Sequence, residues 1–139
     1  MKLYLAPLEG ITNHIYRKAL YECFGGFDKY FIPFIRAKQN LNFSGREKKD
    51  IDPENNQGMY AVPQILTRNA EDFLRTASQL AGLGYREINL NLGCPSKTVV
   101  TKGCGAGFLE RPDELECFLD HIFANTDLKI SIKTRLGMD

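Results

Sequence analysis

Three polar side chains of complementary chemistry fall at matching positions in three strand-like segments. Gln64 lies in the run Ala61 to Leu66, Asn91 in Glu87-Ile88-Asn89-Leu90-Asn91-Leu92-Gly93, and Lys133 in Ile130-Ser131-Ile132-Lys133. Successive residues of a strand point to opposite faces. Ile88, Leu90 and Leu92 therefore share a face suited to helix packing, and Asn89 and Asn91 share the other. In the same way Ser131, Lys133 and Arg135 oppose Ile130, Ile132 and Thr134, while Val62 and Gln64 oppose Ala61 and Pro63. Gln64, Asn91 and Lys133 converge near the C-terminal ends of their strands. A single Asn in a strand is ordinarily a hydrogen-bonded structural residue, and a single Lys near a strand end is ordinarily solvated. Three inward polar groups at one end are harder to assign to packing, because buried polar groups need partners. A ligand rich in donors and acceptors would supply them. Cys94 follows directly at the same rim, in Asn91-Leu92-Gly93-Cys94-Pro95. It reads either as a small buried apolar residue or as a thiol presented to that ligand.

These residues need a scaffold of short β-rich runs alternating with helical stretches, and the chain has that pattern. Strands are expected at Leu3 to Ala6, Tyr30 to Ile35, Ala61 to Leu66, Arg86 to Leu92 and Lys129 to Leu136. Helices are expected from an N-cap at Thr12 to Phe24, with Ile15, Ala19 and Leu20 or Phe24 on one face, from an N-cap at Asn69 to Leu83, and from Pro112 to Ala124. Lys38 to Gly58 is polar and reads as a long loop with room for a short helical turn. The stretch Gly103-Cys104-Gly105-Ala106-Gly107 has no Lys-Ser or Lys-Thr after it, so it is not a P-loop. A phosphate cradle and close backbone packing both remain open for it. Cys23 and Cys117 lie in amphipathic helices and read as small core residues, with Cys104 intermediate.

Strand and helix in alternation imply parallel βαβ units. A nucleotide-binding doubly wound sheet carries a Gly-rich turn after its first strand. Ala6-Pro7-Leu8-Glu9-Gly10 stands there instead, which favours a TIM-type (β/α)₈ barrel. Such a barrel takes about 250 residues, so the 139 residues are expected to form its N-terminal portion, with five strands. The first and fifth strands would then be open edges, inviting self-association.

Composition narrows the class. With 43% hydrophobic and 25% charged residues the chain is ordinary for a globular protein. It has no apolar run of roughly 18 residues to span a membrane and no signal-peptide pattern, so a cytoplasmic location is expected. The four cysteines match no zinc spacing, and no metal site is expected. A net charge of +1 gives no global footprint for nucleic acid. Any RNA contact must be local or made by another domain.

Together these segments resemble the tRNA-dihydrouridine synthase family. The resemblance is carried by Ala6-Pro7-Leu8-Glu9-Gly10-Ile11-Thr12, Pro63-Gln64-Ile65-Leu66, Glu87 to Lys97, Lys102 to Leu109, and Ile132-Lys133-Thr134-Arg135-Leu136-Gly137. It spans nearly the whole chain, and Asn-x-Gly-Cys-Pro with the Gly-rich stretch behind it is its most specific part. Leu8 departs mildly from the Met of many members. The resemblance implies an FMN-binding barrel followed by a helical domain that helps bind tRNA. Residues 1–139 would be the N-terminal part of the barrel. The remaining strands, the flavin-phosphate site, a further pocket His and the helical domain are expected beyond Asp139.

The resemblance also assigns roles. Pro7, Leu8 and Glu9 would hold the flavin from the first loop, and Gln64 and Lys133 would contact its ring. Asn91 would meet the flipped uracil or the flavin edge, with Arg135 and Arg36 as further substrate or flavin contacts. Cys94 would be the catalytic acid, with NADPH as reductant. A thiol suits that role, since an unperturbed one has a pKa of about 8.5 and is mostly protonated at neutral pH. A nucleophilic Cys needs a His or cationic partner, and neither His14 nor His121 is placed by motif near Cys94. Two rival readings remain: a flavin barrel acting on a free pyrimidine or an enone, and a non-catalytic fragment.

Overall fold

The computed structural model describes residues 1–37 and 42–136. Its elements are β1 (Tyr4–Leu5), α1 (His14–Cys23), β2 (Lys29–Arg36), α2 (Gly45–Ile51), a 3-10 turn (Pro53–Asn56), β3 (Ala61–Leu66), α3 (Ala70–Gly82), β4 (Glu87–Asn91), α4 (Lys97–Val100), a second 3-10 turn (Gly105–Phe108), α5 (Pro112–Ala124) and β5 (Lys129–Lys133). Each strand pairs in parallel with the next, in the order β1-β2-β3-β4-β5. A doubly wound sheet reverses its strand order at a switch point. The unbroken sequential order is that of a (β/α)₈ barrel over its first five strands. The sheet curls: Tyr4 and Pro7, at the first edge, line one concavity together with Ser131 and Lys133, at the last.

The layer between sheet and helices is the core. Ile32, Ile35, Ile65, Ile88, Leu90 and Leu92 meet Phe73, Ala77 and Leu80 of α3 and Phe118 and Ile122 of α5. Ile32 and Ile35 are three apart, an odd spacing that strict alternation would send to opposite faces. A register shift between them, at Pro33-Phe34, restores the side. Asn69 caps α3 by accepting the Asp72 N–H at 2.9 Å, and Pro112 opens α5. Phe118 joins the layer's two halves, edge-on to Phe73 at 5.9 Å and to Phe108 at 5.4 Å.

Several local expectations shift. Asn13, not Thr12, caps α1 through the Tyr16 N–H. Only Arg17 of α1 is buried, while Ile15 is 67% and Phe24 81% exposed. α1 packs by its polar side on the first 3-10 turn and α2, so its apolar stripe is left outward. Residues 38–41 of the polar stretch lie outside the described residues, as does Gly137 of the last matching segment. The remainder of the polar stretch holds α2, started by a capping box between Ser44 and Glu47. β5 ends at Lys133, before Thr134. Cys23 and Cys117 are exposed rather than core residues.

Two buried charges brace the scaffold. The Arg17 guanidinium donates to the Thr12 carbonyl at 2.8 Å, the Asp50 carbonyl at 2.7 Å and Asn56 Oδ1 at 2.9 Å. Burial lowers its pKa, against the raising influence of Asp50. At the N-terminal end of the strands, Lys29 Nζ donates to both oxygens of Glu87, at 2.7 and 2.8 Å. The Tyr60 hydroxyl adds a third bond to that carboxylate at 3.0 Å, and Lys129 Nζ lies 3.3 Å away.

Candidate active site

At the opposite end of the strands the inward amides form a connected row. Asn91 Nδ2 donates to Gln64 Oε1 at 2.8 Å, Gln64 Nε2 to Asn89 Oδ1 at 2.6 Å, and Asn89 Nδ2 to Ser131 Oγ at 2.9 Å. Gln64, Asn89 and Asn91 are 1%, 2% and 6% exposed. Asn91 Oδ1 accepts the backbone N–H groups of Gly93 and Cys94, at 3.2 and 3.0 Å. The side chain that ends β4 therefore also anchors the loop carrying Cys94.

The Gly-rich stretch backs that loop. The Ala106 N–H donates to the Cys94 carbonyl at 3.1 Å. Gly105 has φ +57°, and a Cβ there would sit 2.8 Å from that carbonyl oxygen and 2.7 Å from Val99 Cγ1. A Cβ on Gly107 would meet the Val100 carbonyl oxygen at 2.7 Å. These contacts give the glycines a close-packing role. Gly105→Ala is expected to cost about 1–3 kcal/mol of stability from the left-handed backbone alone, and to displace Cys94. Gly82→Ala, at a helical position with open space around it, should be neutral or stabilising. Denaturant melts of the two variants check the contrast.

The concavity of the curled sheet holds about 300 Å³ and is lined by Tyr4, Ala6, Pro7, Lys29, Phe31, Asn89, Ser131, Ile132 and Lys133. Its walls combine apolar surface with a few polar groups, as small-molecule sites do. Among the described residues the Lys133 ammonium has no hydrogen-bond or ion-pair partner. Of the residues expected at the site, the fold brings Pro7 and Lys133 onto this wall, with Gln64 and Asn91 buried in the amide row beside it. Cys94 is half-buried at the loop after β4. Leu8 is 52% exposed, and Glu9 is exposed beside it. Arg36 is half-buried, its guanidinium 5.3 Å from the Phe34 ring centre. Arg135 is half-buried just past β5. His14 Nδ1 lies 3.2 Å from Asp50, and His121 Nε2 2.8 Å from Glu71. Burial pushes the Cys104 thiol pKa up, against the lowering influence of Arg68, Arg36 and Lys102.

Sequence reasoning placed Asn89 and Ser131 on the interior face without assigning them to the site. Strand alternation was the available signal. It gave Thr12 only an N-cap role and assigned nothing to Arg17. The Thr12 hydroxyl accepts the Leu8 N–H at 2.8 Å, so this pair ties the loop after β1 to α1.

The chain matches the family described as Dihydrouridine synthase (Dus) over residues 4–139. It is similar to a "Probable tRNA-dihydrouridine synthase" of Staphylococcus aureus (strain COL), 33% identical over 136 residues, which cover 96% of this chain and 40% of that protein. It is also similar to a "tRNA-dihydrouridine(16) synthase" of Ralstonia nicotianae, 32% identical over 145 residues, covering 99% of this chain and 44% of the relative. The chain thus spans about two-fifths of the length of these curated relatives.

Proposed function

The chain belongs to the dihydrouridine synthase family, and from that premise we propose that it forms the N-terminal part of an FMN-binding barrel that reduces uridine to dihydrouridine in tRNA, with NADPH as reductant. One observation carries the reading. Lys133, without a partner among the described residues, a row of amides and the Cys94 loop meet at the C-terminal end of one parallel sheet, where (β/α)₈ barrels hold their active sites.

The residues present fit a flavin ring. Among the described residues the concavity has on its wall one cationic group without a partner, Lys133, with apolar flanks at Tyr4, Phe31 and Ile132. Pro7, Leu8 and Glu9 would hold the flavin from the loop after β1. Lys133 would offset negative charge at its N1–C2=O edge. Both ends of the Gln64 amide are engaged in the row, Nε2 on Asn89 and Oε1 under Asn91, and its second N–H is the group that would turn to the pyrimidine edge. When bound, reduced FMN supplies the hydride that uracil takes at C6. Negative charge then develops toward C5 and O4, and Cys94 gives its thiol proton to C5. Asn91 holds the Cys94 loop and meets the base or the flavin edge. Arg36 and Arg135 serve as substrate or flavin contacts. The uracil must leave its stack to enter.

Two measurements test this reading. Lys133→Ala is expected to weaken FMN binding by about 10- to 150-fold, the worth of a hydrogen bond to a charged group, in a fluorescence titration of the full-length protein. NADPH-reduced protein, held anaerobically, is expected to be reoxidised by unmodified tRNA and not by free uracil or orotate. Reoxidation by the free pyrimidine, and not by tRNA, would replace this reading with the small-molecule one.

A further inference from the structure

We infer that Asn89 and Ser131 are positioning residues for the Cys94 loop, acting through a one-way chain of side-chain amides. The catalytic consequence rests on the proposed role of Cys94 as proton donor, but the geometry does not. Amide orientation is often undetermined by shape, because the oxygen and nitrogen ends are nearly alike. Here it is set from one end. The backbone nitrogens of Gly93 and Cys94 can only donate, and both reach one Asn91 atom, at 3.2 and 3.0 Å. That atom must be the amide oxygen. The Asn91 NH₂ is therefore turned to Gln64, which must answer with its own oxygen. The Gln64 NH₂ is left facing Asn89 Oδ1, and the Asn89 NH₂ faces the Ser131 hydroxyl.

The four hydrogen bonds from the Cys94 N–H to Ser131 run in one sense across β4, β3 and β5. Bonds in series polarise one another. Reversing any one amide would place donor against donor or acceptor against acceptor at sites 1–6% exposed. The far end of the row is the Ser131 hydroxyl of β5, which accepts the Asn89 NH₂ at 2.9 Å. Ser131 thus closes the row as the last acceptor. Without that hydroxyl the Asn89 NH₂ loses its acceptor, and the row is held from the Cys94 end alone.

The test is hydrogen exchange at the Cys94 backbone amide of the full-length protein, read by NMR in Ser131→Ala and Ser131→Thr. Amides of β3 and β4 serve as the internal reference. In Ser131→Ala the Cys94 amide is expected to exchange about tenfold faster, the loss of one hydrogen bond's worth of order, while the reference amides stay unchanged. Ser131→Thr keeps the hydroxyl and should restore the parent rate. An unchanged Cys94 rate in Ser131→Ala overturns the inference. So does an equal rise in the reference amides, which marks general loosening, or a failure of Ser131→Thr to restore protection. The readout needs neither flavin nor RNA. A protein that does not reduce uridine leaves it standing, and one that does so with an unchanged Cys94 rate removes only the positioning role.

Discussion

Cys94→Ala is expected to leave FMN binding and NADPH-driven reduction near parent levels and to lower dihydrouridine formation by about 10²–10⁴-fold, the usual worth of a positioned acid. The substitution should be structurally quiet. The loop is held by backbone groups, the Cys94 N–H on Asn91 Oδ1 and its carbonyl under the Ala106 N–H, and neither needs the thiol. The loss should therefore fall on turnover, with little change in the affinity for tRNA. Cys94→Ser keeps the shape but presents a far weaker acid, so it should stay close to the Ala variant. Cys104→Ala, which removes the thiol on the Gly-rich side of the loop, should keep most activity. Single-turnover assays of the three variants check the order. Near-parent product from Cys94→Ala would remove the thiol from the mechanism.

Glu87→Gln is expected to destabilise the fold by about 3–5 kcal/mol, the range for breaking a buried ion pair by removing one partner. The Glu87 side chain is 1% exposed and Lys29 15%, so the change leaves an ammonium facing an amide in a poorly hydrated site. Lys29→Met added to Glu87→Gln should recover part of the loss, because two apolar or neutral groups cost less than one orphaned charge. The pH dependence has a definite sign. Burial pushes the Glu87 carboxyl up, but hydrogen bonds from Lys29, Ser131, Tyr60 and Lys129 outweigh it and hold the pKa below the usual carboxylate range. The group's contribution is then present above the unfolded-state value of about 4.3 and is lost as pH falls through the lower folded value. Parent and Glu87→Gln should differ fully at neutral pH and converge in acid. Urea melts across that range measure the gap, and a gap that widened in acid would contradict the assignment.

Strand alternation was enough to read which side chains of β4 turn into the amide row. It put Asn89, Asn91 and Ser131 on one side and Ile88, Leu90 and Ile130 on the other, and the burial and hydrogen bonds follow that division, whereas Ile132, expected opposite Lys133, lines the concavity with it. The barrel topology was legible from the order of strands and helices and from the absent Gly-rich first turn. What escaped was set by contacts distant in sequence. α1 looked amphipathic, yet its buried side chain is Arg17, because the partners that bury it, Asp50 and Asn56, come from a stretch read as loop. The capping box at Ser44 was visible in that stretch but had no apolar periodicity behind it. The Gly105 and Gly107 contacts depend on how the loop folds back on Cys94, which no local pattern encodes. The sense of the amide row needs all three strands in register before Asn91 can transmit it.

The most direct test of the central claim is the product itself. The full-length protein is incubated with FMN, NADPH and tRNA lacking modifications, and the digested nucleosides are analysed by mass spectrometry. The account predicts a uridine that has gained two hydrogens in the parent reaction and has not in Cys94→Ala. Unchanged uridine from FMN-loaded parent protein, or equal product from the two proteins, would contradict it.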